Sequence, residues 1–266
     1  MSASADLTFS ARGGRTRLAQ SRVQAPVALV RPFNADDGGQ LVQLITIGPG
    51  LCAGDRLGIR ITVESGARVV LTTPAATRVL SMDAGQLAEQ HVELHVAKGA
   101  TLEYYPAVTI PFPDSAFTQT IAVHAEPGAR VGVLETWALG RISRDEYLRF
   151  RHLSSRTTVQ IDGTLVYADA TELHPNRDPL EGAGILAGRR YLASGVWFGV
   201  TLPDDTATPV DRVDPVLVLA QSRPEVAYLR AIGSDAPAVD AALRSATDRI
   251  AACWNSEPVS LARFRC

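Results

Sequence analysis

Three acids stand where acids are expensive. Glu103 in ATLEYYP, Glu135 in VLETWALGR and Asp169 in LVYADAT are set among Val, Leu, Tyr and Trp. An ionised carboxylate in apolar surroundings has to be paired, hydrated or bound to a metal ion, so these positions are candidates for charge chemistry. They follow the glycines Gly99, Gly128 and Gly163 by four, seven and six residues, which suggests that a stacked architecture lines them up. The plainer reading pairs them with arginines such as Arg141 or leaves them facing solvent. A fourth acid, Asp55, ends the turn-dense stretch GPGLCAGD (48–55). That stretch has the look of a phosphate loop, but no Lys-Ser/Thr follows and the continuation DRLGIRITV is strand-like, so the nucleotide reading fails. It is either a tight inter-strand loop or a place where Asp55 offers a carboxylate beside crowded backbone.

The histidines are less telling. His91, Glu93 and His95 alternate in EQHVELHV, so on a strand they share one face at steps of roughly 6.5 to 7 Å. That is a line of metal ligands or the solvated face of an amphipathic strand. His152 and His174 are isolated in sequence and read as structural. No GxSxG or comparable nucleophile motif supports acyl transfer. Lys98 faces 25 arginines as the one lysine, in VAKGAT, without the glycine that a phosphate-binding lysine loop requires. The cysteines Cys52, Cys253 and Cys266 form no CxxC pair and leave an odd one, which fits a reducing compartment. A net charge of −2 gives no general attraction to nucleic acid. No run of eighteen apolar residues occurs and MSASADLTFSARGGRTRL lacks an apolar signal region, so a cytoplasmic chain with no membrane partner is expected.

What must position these groups is written in a repeat. ITVESGARVVLTTPAATR, LHVAKGATLEYYPAVTI and IAVHAEPGARVGVLETWALGR each hold an alternating apolar run, a Gly turn and a second run. The pivots Gly66, Gly99, Gly128 and, more loosely, Gly163 lie 33, 29 and 35 residues apart. Alternation of Ile61, Val63, Val69 and Leu71, or of Leu94, Val96 and Leu102, is the signature of half-buried strands. One hairpin buries too little to stand alone, so hairpins repeated over about 59–170 are expected to stack into a mainly β, β-helix or solenoid-like body. The single domain expected over 1–266 consists of this β-rich body (1–232) and a helix at 237–254. Upstream, 1–30 reads as strand pieces, followed by the Asp36–Gly39 turn and a strand over 41–47. Residues 174–190 read as an excursion, 203–215 as a polar linker, and 216–221 with 225–232 as a hairpin. In the final segment Val239, Leu243, Ala246, Ile250 and Cys253 recur three or four apart, a helical stripe capped by Ser234 or Asp235 with Pro237 in its first turn. The apolar run 191–200 is expected to add sticky surface and to promote self-association.

In this order the motifs resemble the urease accessory proteins called D, or H in some organisms. The resemblance is carried by the loop ending Gly54-Asp55-Arg56-Leu57, by LTTPAATR (71–78), by GATLEYYPAVTIPF (99–112), by LETWALGR (134–141), and by AYLRAIG ahead of the last helix. It spans nearly the whole chain. Two departures stand out: Arg78–Met82 replaces a Lys-Phe-Tyr-Arg-Ser-like segment, and Tyr104–Ala107 replaces a Trp-Leu-Pro with a nearby acid. The resemblance implies a β-helix-like, non-enzymatic scaffold that binds an F-type accessory protein, through it a nickel-carrying G-type GTPase, and apo-urease. It also implies that nickel is passed transiently along an internal wet passage, with no tightly bound cofactor. By the same resemblance Asp55 and Glu135, and more loosely Asp169, match the acids of that passage. Chemistry agrees, because oxygen ligands hold Ni(II) less tightly than a His or Cys cage and so suit transfer. The competing class is a β-solenoid carbohydrate-binding protein or glycoside-acting enzyme using Tyr104, Tyr105, Trp137 and Glu135 on an exposed groove.

Overall fold

The computed structural model describes residues 2–203 and 214–256. Two sheets lie face to face. The smaller runs β17 (Thr164–Leu173), β16 (His152–Ile161), β12 (Ala116–Ala125), β9 (Ala88–Val96), β6 (Arg56–Val63), β1 (Ser2–Arg12) and β2 (Arg15–Gln24). The larger runs β19 (Val216–Arg223), β20 (Val226–Gly233), β18 (Tyr191–Phe198), β13 (Arg130–Ala138), β10 (Thr101–Tyr105), β7 (Arg68–Thr72), β5 (Gln40–Thr46) and β3 (Val27–Leu29). Beside this path β4 (Phe33–Asn34), β8 (Thr77–Val79) and β11 (Thr109–Pro111) pair at its margin, and β14 (Gly140–Arg141) with β15 (Glu146–Tyr147) forms a separate ribbon.

The β-solenoid-like stacking is present, but its local geometry differs from the hairpins expected over 59–170. Gly66, Gly99 and Gly128, with φ of +74°, +73° and +85°, are corners at which the chain leaves one sheet for the other. Strands on either side of a corner do not pair with each other. Each pairs in parallel with its counterpart one repeat later, β6 with β9 and β9 with β12, β7 with β10 and β10 with β13. Glycine suits the corner because the backbone there is left-handed. Only the looser pivot, Gly163, closes a true hairpin, between antiparallel β16 and β17. The 216–232 hairpin forms as expected, from β19 and β20.

Parallel stacking puts like on like. Leu7, Ile61, Leu94, Val123 and Val159 occupy one register line across β1, β6, β9, β12 and β16, all essentially without solvent contact. Each such side chain contributes about 1.5–3 kcal/mol by leaving water. The run 191–200, expected to be sticky surface, is instead interior: β18 lies between β13 and β20 and packs its side chains inward on both faces. Its apolar character answers to burial on two sides.

Helix α1 (Ala236–Cys253) begins where Asp235 accepts a hydrogen bond from the Ala238 N–H at 2.9 Å. Its stripe Val239, Leu243, Ala246 and Ile250 is buried against Leu219, Leu229, Ala231 and Trp197 on the outer face of the larger sheet. The Trp254 indole, just past the helix, donates to the Gly199 carbonyl at 2.8 Å. Most of the polar linker expected at 203–215, and Cys266, lie outside the described residues. Among the described residues no helix is long and apolar enough to cross a membrane.

Candidate functional site

Within the apolar stack one layer is polar. Four positions before Leu94, Val123 and Val159, the smaller sheet carries Gln90, Gln119 and Ser155 in one register line, all buried and all facing the larger sheet. From the opposite sheet β13 sends in Glu135, 4 % exposed. Its Oε1 accepts from Gln119 Nε2 and, at 2.9 Å, from the Ser155 hydroxyl; its Oε2 accepts from the Thr157 hydroxyl at 3.0 Å. Gln90 Nε2 donates in turn to Gln119 Oε1 at 2.7 Å, and makes a 3.5 Å contact with the Tyr104 hydroxyl. Burial is the largest influence on Glu135 and pushes its carboxyl up to about 7, against the hydroxyls of Ser155 and Thr157, which favour the anion; the nearby Asp169 adds to the rise and Arg230 opposes it.

Asp169 is brought to the same place from β17. It accepts from the Ser194 hydroxyl at 2.9 Å and is paired with Arg230, whose other arm donates to Thr171 at 3.1 Å. Ser194 stands opposite Glu135 in the register of β18 on β13, and Thr157 opposite Asp169 in that of β16 on β17. Tyr167, on the same strand face, has its hydroxyl pushed up to about 12 by burial and by Asp169. Glu135, Asp169, Arg230 and their hydroxyl partners therefore form one continuous polar layer between the sheets.

Glu103 is not part of it. The expectation that the three acids line up fails on parity: Glu103 opposes Gly132, three residues before Glu135, and an odd offset along a strand reverses the face. Glu103 lies on the outer side of the larger sheet, 3.7 Å from Arg68, which is itself paired with Asp37. It is as deeply buried as Glu135, and burial likewise pushes its carboxyl up to about 7, against the pull of Arg68. Tyr105 shares this side and its hydroxyl accepts from the Trp197 indole at 2.8 Å. These two groups are why residue 132 is glycine, since a Cβ there would sit 2.7 Å from each of them.

A cavity of about 30 Å³ lies beside the polar layer, lined in part by Gln90, Gln119, Glu135, Tyr104 and Trp137. That is room for roughly one or two waters, with enough polar partners to hold them. Its walls Leu44, Thr46, Thr73 and Thr77 also line a second cavity of about 80 Å³, enclosed by the loops 48–51 and 73–78. The first loop is clamped to the second: Leu51 N–H donates to the Arg78 carbonyl at 2.8 Å, Leu80 N–H to the Leu51 carbonyl at 2.9 Å, and a Cβ on Gly50 would strike that Arg78 carbonyl at 2.4 Å. Asp55 is not among the residues lining either cavity. Its carboxylate accepts from the Cys52 N–H at 2.8 Å and its carbonyl from the Glu89 N–H at 2.8 Å, which makes it the closing residue of the loop before β6.

The exposed aromatic groove of the carbohydrate reading is absent: Tyr104, Tyr105, Trp137 and Glu135 are all buried. His91 and His95 do share the outer face of β9, where His95 Nε2 lies 2.8 Å from Glu93 and stacks on His124, with 5.0 Å between ring centres. His152 and His174 are not isolated in space, because the β16–β17 hairpin sets them side by side. Sequence reasoning also passed over Gln90 and Gln119, although a signal existed. In AEQHVELHV and AFTQTIAVHA each glutamine occupies an otherwise apolar position of the alternation, 29 residues apart in consecutive repeats.

Comparison with known proteins gives the same family from end to end. The family model described as UreD urease accessory protein matches residues 1–266. The urease accessory protein UreD of Deinococcus radiodurans is 32 % identical over 246 residues, covering 92 % of this chain and 88 % of its own length. UreD 1 of a Synechococcus species is 37 % identical over 192 residues, 72 % of either chain, and UreD 2 of Streptomyces griseus is 34 % identical over 223 residues, 82 % of this chain and 72 % of its own. With the family model matching its whole length and relatives of that family 32 to 37 % identical over most of it, the chain belongs to the UreD family of urease accessory proteins.

Proposed function

We propose that this chain, beyond its family's part in urease maturation, is a non-enzymatic scaffold that joins an F-type accessory protein, and through it a G-type GTPase, to apo-urease in the cytoplasm. Its interior polar layer passes Ni(II), as cargo, toward the urease active site. The observation that supports this reading is the setting of Glu135. It is a buried carboxylate whose hydrogen bonds come from neutral donors, beside a small polar cavity, with a proton affinity matched to neutral pH. Such a group holds a proton about half the time near pH 7 and gives it up to an arriving cation, so taking and releasing a metal ion costs little in charge. Oxygen donors and water bind Ni(II) shallowly, as each step of a relay must. Asp169 lies next along the layer with its charge already balanced by Arg230, and Asp55 stands apart at the loop before β6.

The test is urease produced in cells with Glu135→Gln, Asp169→Asn or Asp55→Ala in this chain, at limiting and at excess nickel. Glu135→Gln is expected to leave the accessory complex intact while lowering urease nickel content and activity, most at limiting nickel. Full activation at limiting nickel excludes the relay role for Glu135, and loss of the complex assigns it to structure.

A further inference from the structure

On the strand that carries Asp169, the opposite face presents a second constellation. His152, at the start of β16, stands across the antiparallel ladder from His174, just past the end of β17: Leu153 pairs with Leu173 and Ser154 with Glu172, so the next pair outward is 152 with 174. Glu172, two residues before His174, shares its face. Leu153 and Leu173 point into the core, so the three polar side chains point out. The imidazoles stack with 4.5 Å between centres and 10° between planes, and His174 Nε2 lies 2.7 Å from Glu172 Oε1. One ligand atom from each of the three residues lies within 4.8 Å of the others.

We propose that His152, His174 and Glu172 form a binding site for a late first-row divalent cation of the Ni(II) or Zn(II) class. Two imidazoles and one carboxylate are the donor set such ions favour over Mg(II) or Ca(II). Ligands about 2.0–2.2 Å from one tetrahedral ion stand roughly 3.3 Å apart, so the three side chains need close by only about 1.5 Å, within reach of rotamer changes. Three protein ligands leave a coordination position open, which makes the site exchangeable rather than a closed structural one. The scaffold beneath is fixed: Arg151, next to His152, donates to the carbonyls of Asp83, Gln86 and Asp114 at 2.8 to 3.1 Å. The neighbouring cation, Arg177, is engaged by Asp178 at 2.9 Å. The site lies on the outer face of the smaller sheet, outside the interior polar layer, and its existence does not depend on nickel passing through that layer.

The experiment is titration of the full-length chain, stripped with chelator, against Ni(II), Zn(II) and Mg(II) by calorimetry, with bound metal counted by elemental analysis. Wild type is expected to bind one equivalent of Ni(II) or Zn(II) that His152→Ala/His174→Ala loses and that Glu172→Gln weakens at least tenfold. A control on the stacked pair of β9 and β12, His95→Ala/His124→Ala, is expected to retain it. Unchanged binding in the His152/His174 variant, or no binding by wild type, overturns the proposal. Should that variant misfold, Ni(II) added to wild-type chain with labelled histidines decides the matter. Broadening that begins at His152 and His174 supports the site, and broadening that begins elsewhere overturns it.

Discussion

The larger sheet holds a buried acid on each face, and the two are kept in opposite ways. Glu103, on the side where α1 packs, has an arginine beside it, a second acid on that arginine, and the Tyr105–Trp197 pair next to it. Glu135, on the side that faces the smaller sheet, has an amide and two hydroxyls as donors, and Arg230, whose charge it feels, already answers to Asp169. Burial drives both carboxyls up to about 7. Equal proton affinity therefore does not mean equal purpose. An acid beside its own cation is a fixed element of packing, whereas an acid among neutral donors accepts a proton or another cation with little rearrangement.

The outer face should be the more brittle, and the largest effect is expected there. Leu243→Asp places an unpaired charge in the apolar seam of α1 and should cost about 3–5 kcal/mol. Arg244→Asp, on the exposed side, should cost below about 1 kcal/mol. Equal losses in urea denaturation would show that α1 contributes no apolar seam.

Next in size is a pH effect shared by both faces. A carboxyl whose folded value lies above its unfolded one keeps, when folded, a proton that the unfolded chain has released. Its contribution is full below about pH 4.5 and is lost as pH rises to about 7, about 3 kcal/mol for each of Glu103 and Glu135. Wild-type stability should thus fall between pH 5 and 8, and Glu135→Gln should remove its share of that slope. A slope unchanged by Glu135→Gln would deny the raised value. Gly132→Ala drives a methyl group into Trp197 and the Tyr105 hydroxyl and should cost about 1–3 kcal/mol, without disturbing the Glu135 layer. The smallest change in stability is expected for Glu135→Gln below about pH 4.5, within about 1 kcal/mol, because the carboxyl is already neutral there and an amide still meets Ser155 and Thr157. A larger loss would place Glu135 in the same structural class as Glu103.

The sequence carried the repeat, the terminal helix and the acids, because alternation, helical spacing and an acid among apolar residues are all local signals. Partner choice was hidden. A Gly corner between sheets and a Gly turn within a hairpin impose the same demand on φ, so Gly66 and Gly163 look alike although only the second joins paired strands. The polar layer was legible in principle, through Gln90 and Gln119 on the apolar parity of successive repeats, and Glu103 could have been set apart from Glu135 by counting from the pivots, four residues after Gly99 against seven after Gly128. The meeting of His152 with His174 depends on where the β16–β17 hairpin folds back, which no pattern at either histidine reveals.

The spacing of the rungs also bears on how the chain assembles. Neighbours on the Leu7–Val159 line are separated by 33, 29 and 36 residues from Ile61 onward, but Leu7 lies 54 residues from Ile61. Closing that longer loop costs only about 0.5 kcal/mol more than closing one of about 30 residues, so entropy scarcely penalises it. Order of synthesis does: β1 and β2 are made before β3, β5 and β6, so their hairpin lacks both the opposite sheet over its apolar face and its parallel neighbour until those strands follow. The β1–β2 hairpin is accordingly a segment of the nascent chain exposed to early misassociation, and the arrival of β3 and β5 over its face and of β6 at its edge ends that exposure.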